Sequence, residues 1–325
     1  MKYIPPLITG VQHEPSEPDV DEDIEVAARI EEIKFSPDSI NYVDEAFLYY
    51  SMDDGETWEE VEMYQSDDDE SIWTGEIPAM GEDCEIVYRI TATDSEGNKA
   101  IEMPFPVIER EGEEPAGDDE SGSSSDLAPV DLEEVMGDED DPEREIPSYL
   151  DILSLRFGYT DEEYIFRVTF EDAPTPGTVS PIDANGYAVV LINSRPVISP
   201  DIARHAWAWY YAPAADIAPA HPDFGKIPPV ALVHANPENL RRPIFETEGF
   251  DYTMDGNVLN LGINREFLAE SLSDTVVLAA GNARVTGSDF FHLNFAMGDI
   301  TRPAVVYMRG HTITVGRPPE NDEGE

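Results

Sequence analysis

Apolar and polar residues alternate along much of the chain. In "DIEVAARIEE", residues 23–32, every second position is largely apolar, which is the pattern of a strand with one buried face. In "EAFLYYSMDDGETWEEVEM", residues 45–63, two such stretches flank Asp54-Gly55, a dipeptide that favours a hairpin turn. A second hairpin is predicted to turn at residues 95–98. Residues 1–110 therefore predict about seven short strands, as in an antiparallel β-sandwich.

The same pattern continues nearer the C-terminus. "DILSLRFGYTDEEYIFRVTFED", residues 151–172, predicts two strands around "TDEE", and "FDYTMDGNVLNLGIN" predicts a hairpin at Asp255-Gly256. One short helix is predicted in "NREFLAESL", with Asn264 as its N-cap. We expect a second, larger β-sandwich over residues 148–316, followed by an acidic tail at 317–325.

Charge separates these two regions. The chain has 70 acidic and 19 basic residues, for a net charge of −51. Residues 111–147 hold 16 of the acids and one base among Gly, Ser and Pro, with few large apolar residues. Such a segment buries too little surface to offset the entropy of ordering. The predicted fold class is therefore all-β, with two antiparallel β-sandwich domains joined by a disordered acidic linker at 111–147.

The acidic balance also constrains the surroundings and the partners. Repulsion among so many like charges opposes folding in dilute salt, and at molar salt a Debye length of about 3 Å removes most of it. A high-salt environment is thus expected, with stability rising as salt is added; the alternative is an ordinary acidic surface protein. Nucleic acid and anionic membranes need basic patches and are excluded as charge-driven partners. No apolar stretch reaches the length of a membrane span.

Catalytic motifs are missing from the sequence, so we expect no enzymatic activity. There is no nucleophile elbow, no zinc-binding H-E-x-x-H and no phosphate-binding glycine loop. The single cysteine, Cys84, lies in a strand pattern and fits a buried, inert thiol. No cofactor is predicted beyond a structural calcium ion, which prefers clustered oxygen ligands. The candidate ligands, whose alternative is solvated turns, are Asp19, Asp21, Asp23, Asp183 and Asn185.

The stretch "RHAWAWYYA", residues 204–212, is the strongest candidate for ligand binding. His205, Trp207, Trp209 and Tyr211 lie two apart and share one face of a strand. Exposed rings could stack on sugars, whereas buried rings would fill the space between two sheets. A protein contact is the third alternative. The predicted ligand-binding residues, with two arginines as polar helpers, are Trp207, Trp209, Tyr210, Tyr211, Arg241 and Arg242.

The N-terminal region resembles bacterial immunoglobulin-like or fibronectin type III-like modules. The resemblance rests on "PPLITGVQHEP", "YYSMDDGETWEEVEM", "WTGEIP" and "VYRITATDSEGN", and it covers about residues 4–108. It implies a β-sandwich that serves as a spacer or as an adhesion and docking platform on an exported protein. It implies no catalytic residue.

Residues 148–315 resemble the glucodextranase C-terminal module and the related family 9-like carbohydrate-binding and DOMON-type domains. The resemblance rests on "DILSLRFGYTDEEYIFRVTF", "NGYAVVLIN", "DGNVLNLGINREFLAESL" and "VVLAAGNARVTGSD". It implies a carbohydrate-binding β-sandwich.

Three functional hypotheses follow. The first is a non-catalytic binding protein, extracellular or on the cell surface, that has lost its leader and binds a polysaccharide or surface glycan through the C-terminal domain. The second is a structural subunit of a surface layer, filament or adhesin that assembles with itself through sheet edges. The third is an accessory module of a polysaccharide-degrading system.

Overall fold

A computed structural model describes the parts of the chain that form regular structure. The described residues are 5–32, 41–105, 133–137, 148–175, 177–179, 182–193, 206–212, 228–234, 244–268, 275–287 and 293–316. Among them, every regular element is a β-strand except one 3-10 turn at Ser148–Leu150. The prediction of an all-β chain is therefore confirmed for this part of the molecule.

The described strands fall into two compact units. The first, which we call the split unit, comprises Met1–Phe105 and Pro303–Glu325, and the second, the continuous unit, comprises Pro106–Arg302. The strands of the split unit are β1 (Leu7–Glu14), β2 (Ile24–Glu31), β3 (Val43–Ser51), β4 (Glu59–Glu62), β5 (Tyr64–Gln65), β6 (Ile72–Ile77), β7 (Cys84–Asp94), β8 (Lys99–Glu102), β21 (Ala304–Tyr307) and β22 (His311–Val315).

The continuous unit lies between the two parts of the split unit in sequence. Its strands are β9 (Glu133–Gly137), β10 (Ile152–Tyr159), β11 (Glu163–Phe170), β12 (Gly177–Val179), β13 (Ile182–Asn193), β14 (Ala206–Tyr211), β15 (Val230–His234), β16 (Ile244–Glu246), β17 (Phe250–Asp255), β18 (Val258–Asn264), β19 (Thr275–Gly287) and β20 (Leu293–Ile300).

The described strands of the split unit lie in two sheets. One has the order β1-β2-β6-β5, with all neighbours antiparallel. In the other, β7 pairs antiparallel with β3, β8 and β22, while β4 extends the β3 edge. The alternation predicted for β2 is confirmed, because Ile24, Val26, Ala28 and Ile30 are buried. The predicted turn at Asp54-Gly55 is confirmed as well, and both residues have positive φ angles, of 55° and 88°.

The last two strands differ from the predicted domain boundary. The sequence pattern grouped residues 304–315 with the C-terminal domain because they follow it directly. In the structure, β22 pairs antiparallel with β7, and β21 runs parallel to β8. The N-terminal unit thus includes strands from the other end of the chain, which no local pattern could indicate.

The continuous unit also contains two sheets. One has the order β17-β18-β11-β10-β9, and the other contains β16-β15-β14-β13-β19, with β12 added to β13 and β20 to β19. Their pairings are antiparallel. The two hairpins predicted here are confirmed: β10 and β11 flank "TDEE", and β17 and β18 meet at Asp255-Gly256.

Two predicted segments need correction. Within the predicted linker 111–147, the structure describes only β9, which pairs antiparallel with β10. That part of the linker is an edge strand, since backbone pairing can order a segment that has few apolar side chains. In the predicted helix, Asn264 does accept hydrogen bonds from the N–H groups of Glu266 and Phe267, but residues 265–268 form a turn. Residues 269–272 lie outside the described residues.

Candidate functional site

The aromatic stripe lies on β14, inside a sheet of the continuous unit. Trp207, Trp209 and Tyr211 alternate along the strand and share one face, as predicted. Since β13 pairs with one side of β14 and β15 with the other, the rings project from the middle of the sheet. His205, the fourth ring of the predicted stripe, lies outside the described residues.

Trp209 belongs to the core. Its side chain is 0% exposed, and its ring lies 6.4 Å from that of Phe250 and 5.4 Å from that of Tyr252, between centroids. Both partners come from β17 in the opposite sheet, so these rings join the two sheets of the unit. The prediction that Trp209 contacts a ligand is therefore wrong for this conformation, because the opposing sheet covers the ring.

The indole N–H of Trp209 is buried and has no hydrogen-bond partner among the residues that the structure describes. A buried unpaired donor costs about 1–3 kcal/mol. Within the described part of the chain, packing holds the ring, including a nearly parallel arrangement with Tyr211 at 6.4 Å between centroids. What this position contributes is apolar volume between the sheets.

The stripe becomes accessible at its two ends. Trp207 and Tyr211 are half-buried, and Tyr252, which lies 6.0 Å from Tyr211 between ring centroids, is 37% exposed. Tyr252 reaches solvent because β17 is the edge strand of its sheet. Burial, followed by the Coulombic effect of Tyr211, raises the pKa of Tyr252 above its ordinary value. We call Trp207, Tyr211 and Tyr252 the rim rings.

Polar groups accompany the ring of Trp207. The His234 imidazole stacks on it with centroids 4.1 Å apart, because the two residues are directly paired between β14 and β15. His234 Nε2 lies 3.6 Å from Glu246 Oε1 on β16. The imidazole thus covers one face of the Trp207 ring, and the imidazole and the carboxylate can both hydrogen-bond a hydroxylated ligand next to this half-buried ring.

Three of these residues were missed in the sequence. Tyr252 was assigned only to a hairpin strand, although its i, i+2 spacing from Phe250 resembles that of the stripe. His234 is one of six histidines scattered through the sequence, and Glu246 is one acid among 70. Their proximity to Trp207 and Tyr211 depends on sheet pairing and sheet packing, which local periodicity does not specify.

Tyr210 points away from the stripe and is a second correction. It occupies the alternate face of β14, where its hydroxyl donates to the carbonyl of Pro228 at 2.7 Å and its ring meets Phe245 edge-on. Burial raises its pKa. Tyr210 is therefore a packing residue and cannot share a platform with Trp207. The predicted polar helpers Arg241 and Arg242 lie outside the described residues.

The predicted calcium ligands that the structure describes, Asp19, Asp21 and Asp23, do not form a cluster. Asp23 Oδ1 accepts the N–H of Ala79 at 2.9 Å, and the N–H of Asp19 donates to the Glu22 carboxylate at 3.1 Å. Among the described residues, no group of three or more His, Cys, Asp and Glu side chains is placed to hold a metal ion. This arrangement gives no support to calcium binding by Asp19, Asp21 and Asp23, which stays a prediction. The side chains of Asp183 and Asn185 lie outside the described part.

Comparison with known proteins adds no assignment. No protein-family model matches the chain, and no curated protein matches it either. The part of the chain that the structure describes has no helix long and apolar enough to span a membrane.

Proposed function

We propose that this protein is a non-catalytic binding protein that recognises a glycan through the rim rings of the continuous unit. The observation that carries the proposal is the position of these rings: Trp207, Tyr211 and Tyr252 remain partly accessible around a fully buried Trp209. A fully buried ring that lies among accessible rings fixes their spacing before a ligand arrives. Less ordering is then needed on binding.

The chemistry beside the rings suits a hydroxylated ligand. Sugars present C–H faces that pack on aromatic rings and hydroxyls that need hydrogen-bond partners. Here the rings supply the apolar surface, while His234 and Glu246 supply polar groups at its side. A net charge of −51 disfavours polyanions, so we propose a neutral polysaccharide or surface glycan as the ligand class.

The surroundings of the protein are part of the proposal. The acidic, lysine-poor composition supports a role outside the cell or at its surface in a salt-rich medium, where the charge is screened. We further propose that each unit is a β-sandwich and that the split unit supports the binding unit. The ring contacts between β14 and β17 support this arrangement for the continuous unit.

A glycan-array screen of the full chain in molar salt tests the proposal. We expect retention of one class of neutral glycan, with no need for calcium. Trp207→Ala and Tyr252→Ala should each weaken binding by up to about tenfold, because an aromatic contact contributes about 0.5–1.5 kcal/mol. The matched control is Tyr64→Ala, which removes a 63% exposed tyrosine from the split unit and should leave binding unchanged.

Each outcome has a distinct meaning. If no glycan is retained by the native chain, the proposed function is wrong. If a glycan is retained and the Trp207 and Tyr252 variants bind it as well as the native chain, the function stands and the site assignment is wrong. Circular dichroism of each variant checks that the fold has survived.

A further inference from the structure

The C-terminal segment, defined here as Pro303–Gly316, forms part of the core of the split unit. All four residues of β21 are buried, as are Ile313 and Val315 of β22. Its backbone is bonded on both strands: β21 pairs with β8, β22 pairs with β7, and Met103 N–H donates to the carbonyl of Tyr307 at 2.7 Å. Without the segment, the edges of β7 and β8 and the apolar surface beneath would be uncovered.

A buried carboxylate of the split unit contacts two basic side chains of this segment. Glu102 on β8 is 0% exposed, and its Oε1 accepts a hydrogen bond from Arg309 Nε at 2.9 Å and lies 3.2 Å from His311 Nε2. Its Oε2 accepts the N–H of Ile90 at 3.0 Å. A buried charge is tolerated only when it is paired, so a strand without a cation at this position would leave Glu102 unsatisfied.

Three further contacts fix the fit. The ring of His311 stacks on Tyr88 with centroids 5.0 Å apart, and Arg309 Nη2 donates to the carbonyl of Ile8 at 2.9 Å. The Tyr307 hydroxyl accepts the N–H of Ile8 at 3.3 Å, and burial raises its pKa to about 12. A side chain at Gly310 would overlap Pro104. The segment is therefore recognised by charge, ring contact and shape together.

The chain connection between β8 and the C-terminal segment is unusually long. A parallel pair such as β8 and β21 always needs a crossover, often a single helix of a dozen or more residues. Here the crossover is the whole continuous unit, Pro106–Arg302. No tight turn ties the segment to β7 and β8, so the segment of another copy could make the same pairings with these two strands.

We propose that the split unit is a strand acceptor whose donor is the C-terminal segment, and that a second copy of this chain can supply the donor. Exchange of an identical element between copies would rebuild the same pairings with β7 and β8, and such exchange is a low-cost route to a dimer. Mutual exchange closes a dimer, while sequential exchange gives an open row of copies. This inference is independent of glycan binding at the rim rings.

The only cysteine of the chain makes the exchange testable in the full-length protein. Cys84 on β7 is directly paired with Val315 on β22, so Val315→Cys places two thiols across one antiparallel pair. Side chains so paired have Cβ atoms about 4.5–5.5 Å apart, close to disulfide reach. The variant is refolded from denaturant in molar salt at low and high protein concentration and then oxidised. Products are read by non-reducing electrophoresis, light scattering and peptide mapping.

We expect the disulfide between residues 84 and 315 to form within one chain at low protein concentration and between chains at high concentration. The interchain fraction should rise with protein concentration. Thr314→Cys is the matched control, because the neighbouring side chain points to the other face and should not form the bond. Peptide mapping distinguishes disulfides between residues 84 and 315 from those that join Cys84 of two chains. The native chain, which can form only the second kind, gives the background amount of it. An 84–315 bond found only within chains at every concentration would overturn exchange. If this disulfide forms under no condition, the pairing of Val315 with Cys84 would be wrong.

Discussion

The two units of this chain hold their strands together by different kinds of contact. In the continuous unit, the sheets are joined by aromatic contacts: the ring of Trp209 packs against those of Phe250 and Tyr252. In the split unit, the last strands are held by a buried carboxylate, an arginine and a histidine. Ring packing is tolerant of partners, whereas a buried ion pair accepts one arrangement. We therefore expect recognition of outside ligands at the first and recognition of the chain itself at the second.

The largest effect should come from removing the central ring. Trp209→Ala is expected to lower the free energy of unfolding by about 3–5 kcal/mol, because it leaves a cavity between two sheets. Hydrogen exchange should rise in β14 and β17 and stay unchanged in the split unit. Denaturant unfolding in molar salt measures the first quantity and mass spectrometry the second. An effect no larger than that of Tyr64→Ala would mean that the rings do not hold the sheets together.

A smaller effect is expected from Glu102→Gln, which keeps the shape of the side chain and removes its charge. Loss of charge-assisted hydrogen bonds to Arg309 should cost about 1.5–3 kcal/mol in the same unfolding measurement. Faster hydrogen exchange should be confined to β8, β21 and β22. The control is Glu76→Gln on an exposed position of β6, for which we expect less than about 0.5 kcal/mol. Equal effects at the two positions would mean that the Glu102 ion pair does not hold the last strands, and the contrast with the continuous unit would be lost.

Gly310→Ala probes the shape of the same contact without changing charge. The added methyl group would overlap Pro104, and such overpacking costs about 1–3 kcal/mol. Gly186→Ala in the continuous unit is the matched control, since its nearest neighbour would be the Ala212 Cβ at 3.9 Å. Thermal unfolding of both variants should show a lower midpoint only for position 310. A lower midpoint for both would mean that the cost comes from replacing glycine in general and not from the overlap with Pro104.

The smallest effect concerns pH and an exposed turn of the split unit. Hydrogen bonds from the Thr57 side chain and backbone and from Ser51 lower the pKa of Asp53 to about 2. The unfolded value is about 3.9, so Asp53 contributes stability above pH about 4 that is lost as the pH falls towards 2. Titration followed by carboxyl NMR should give the low value in the native chain and a higher one in Thr57→Val. An unchanged value in the variant would exclude Thr57 as the main cause.

Local structure could be predicted from the sequence where short-range chemistry decides it. The alternation of β2, the Asp54-Gly55 turn and the hairpin around "TDEE" depend on neighbours a few residues apart. Long-range pairing could not be predicted: Glu102 meets Arg309 across 207 positions, and the "KAIE" stretch that carries Glu102 shows only that the acid occurs in a strand. β9 was missed for a related reason, because backbone bonding to β10 orders a segment whose composition indicates disorder.

The candidate site was predictable in its position but not in its exposure. A two-residue period shows that Trp207, Trp209 and Tyr211 share a face, yet it does not show whether a second sheet covers that face. Coverage depends on β17, which brings Phe250 over Trp209 and leaves Tyr252 at the edge. The same limit applies to Tyr210, whose separation from the rim rings follows from alternation but whose burial follows from Phe245 and Pro228.

The insertion of one unit between the two parts of the other has a mechanical consequence. Tension applied to the chain on either side of the split unit enters through β1 and leaves through β22, so the load passes across the hydrogen bonds and the Glu102 ion pair of that unit. The continuous unit lies off this force path as long as those contacts hold. A tethered copy under shear would therefore stretch its split unit first, while the unit that carries the rim rings stays unloaded.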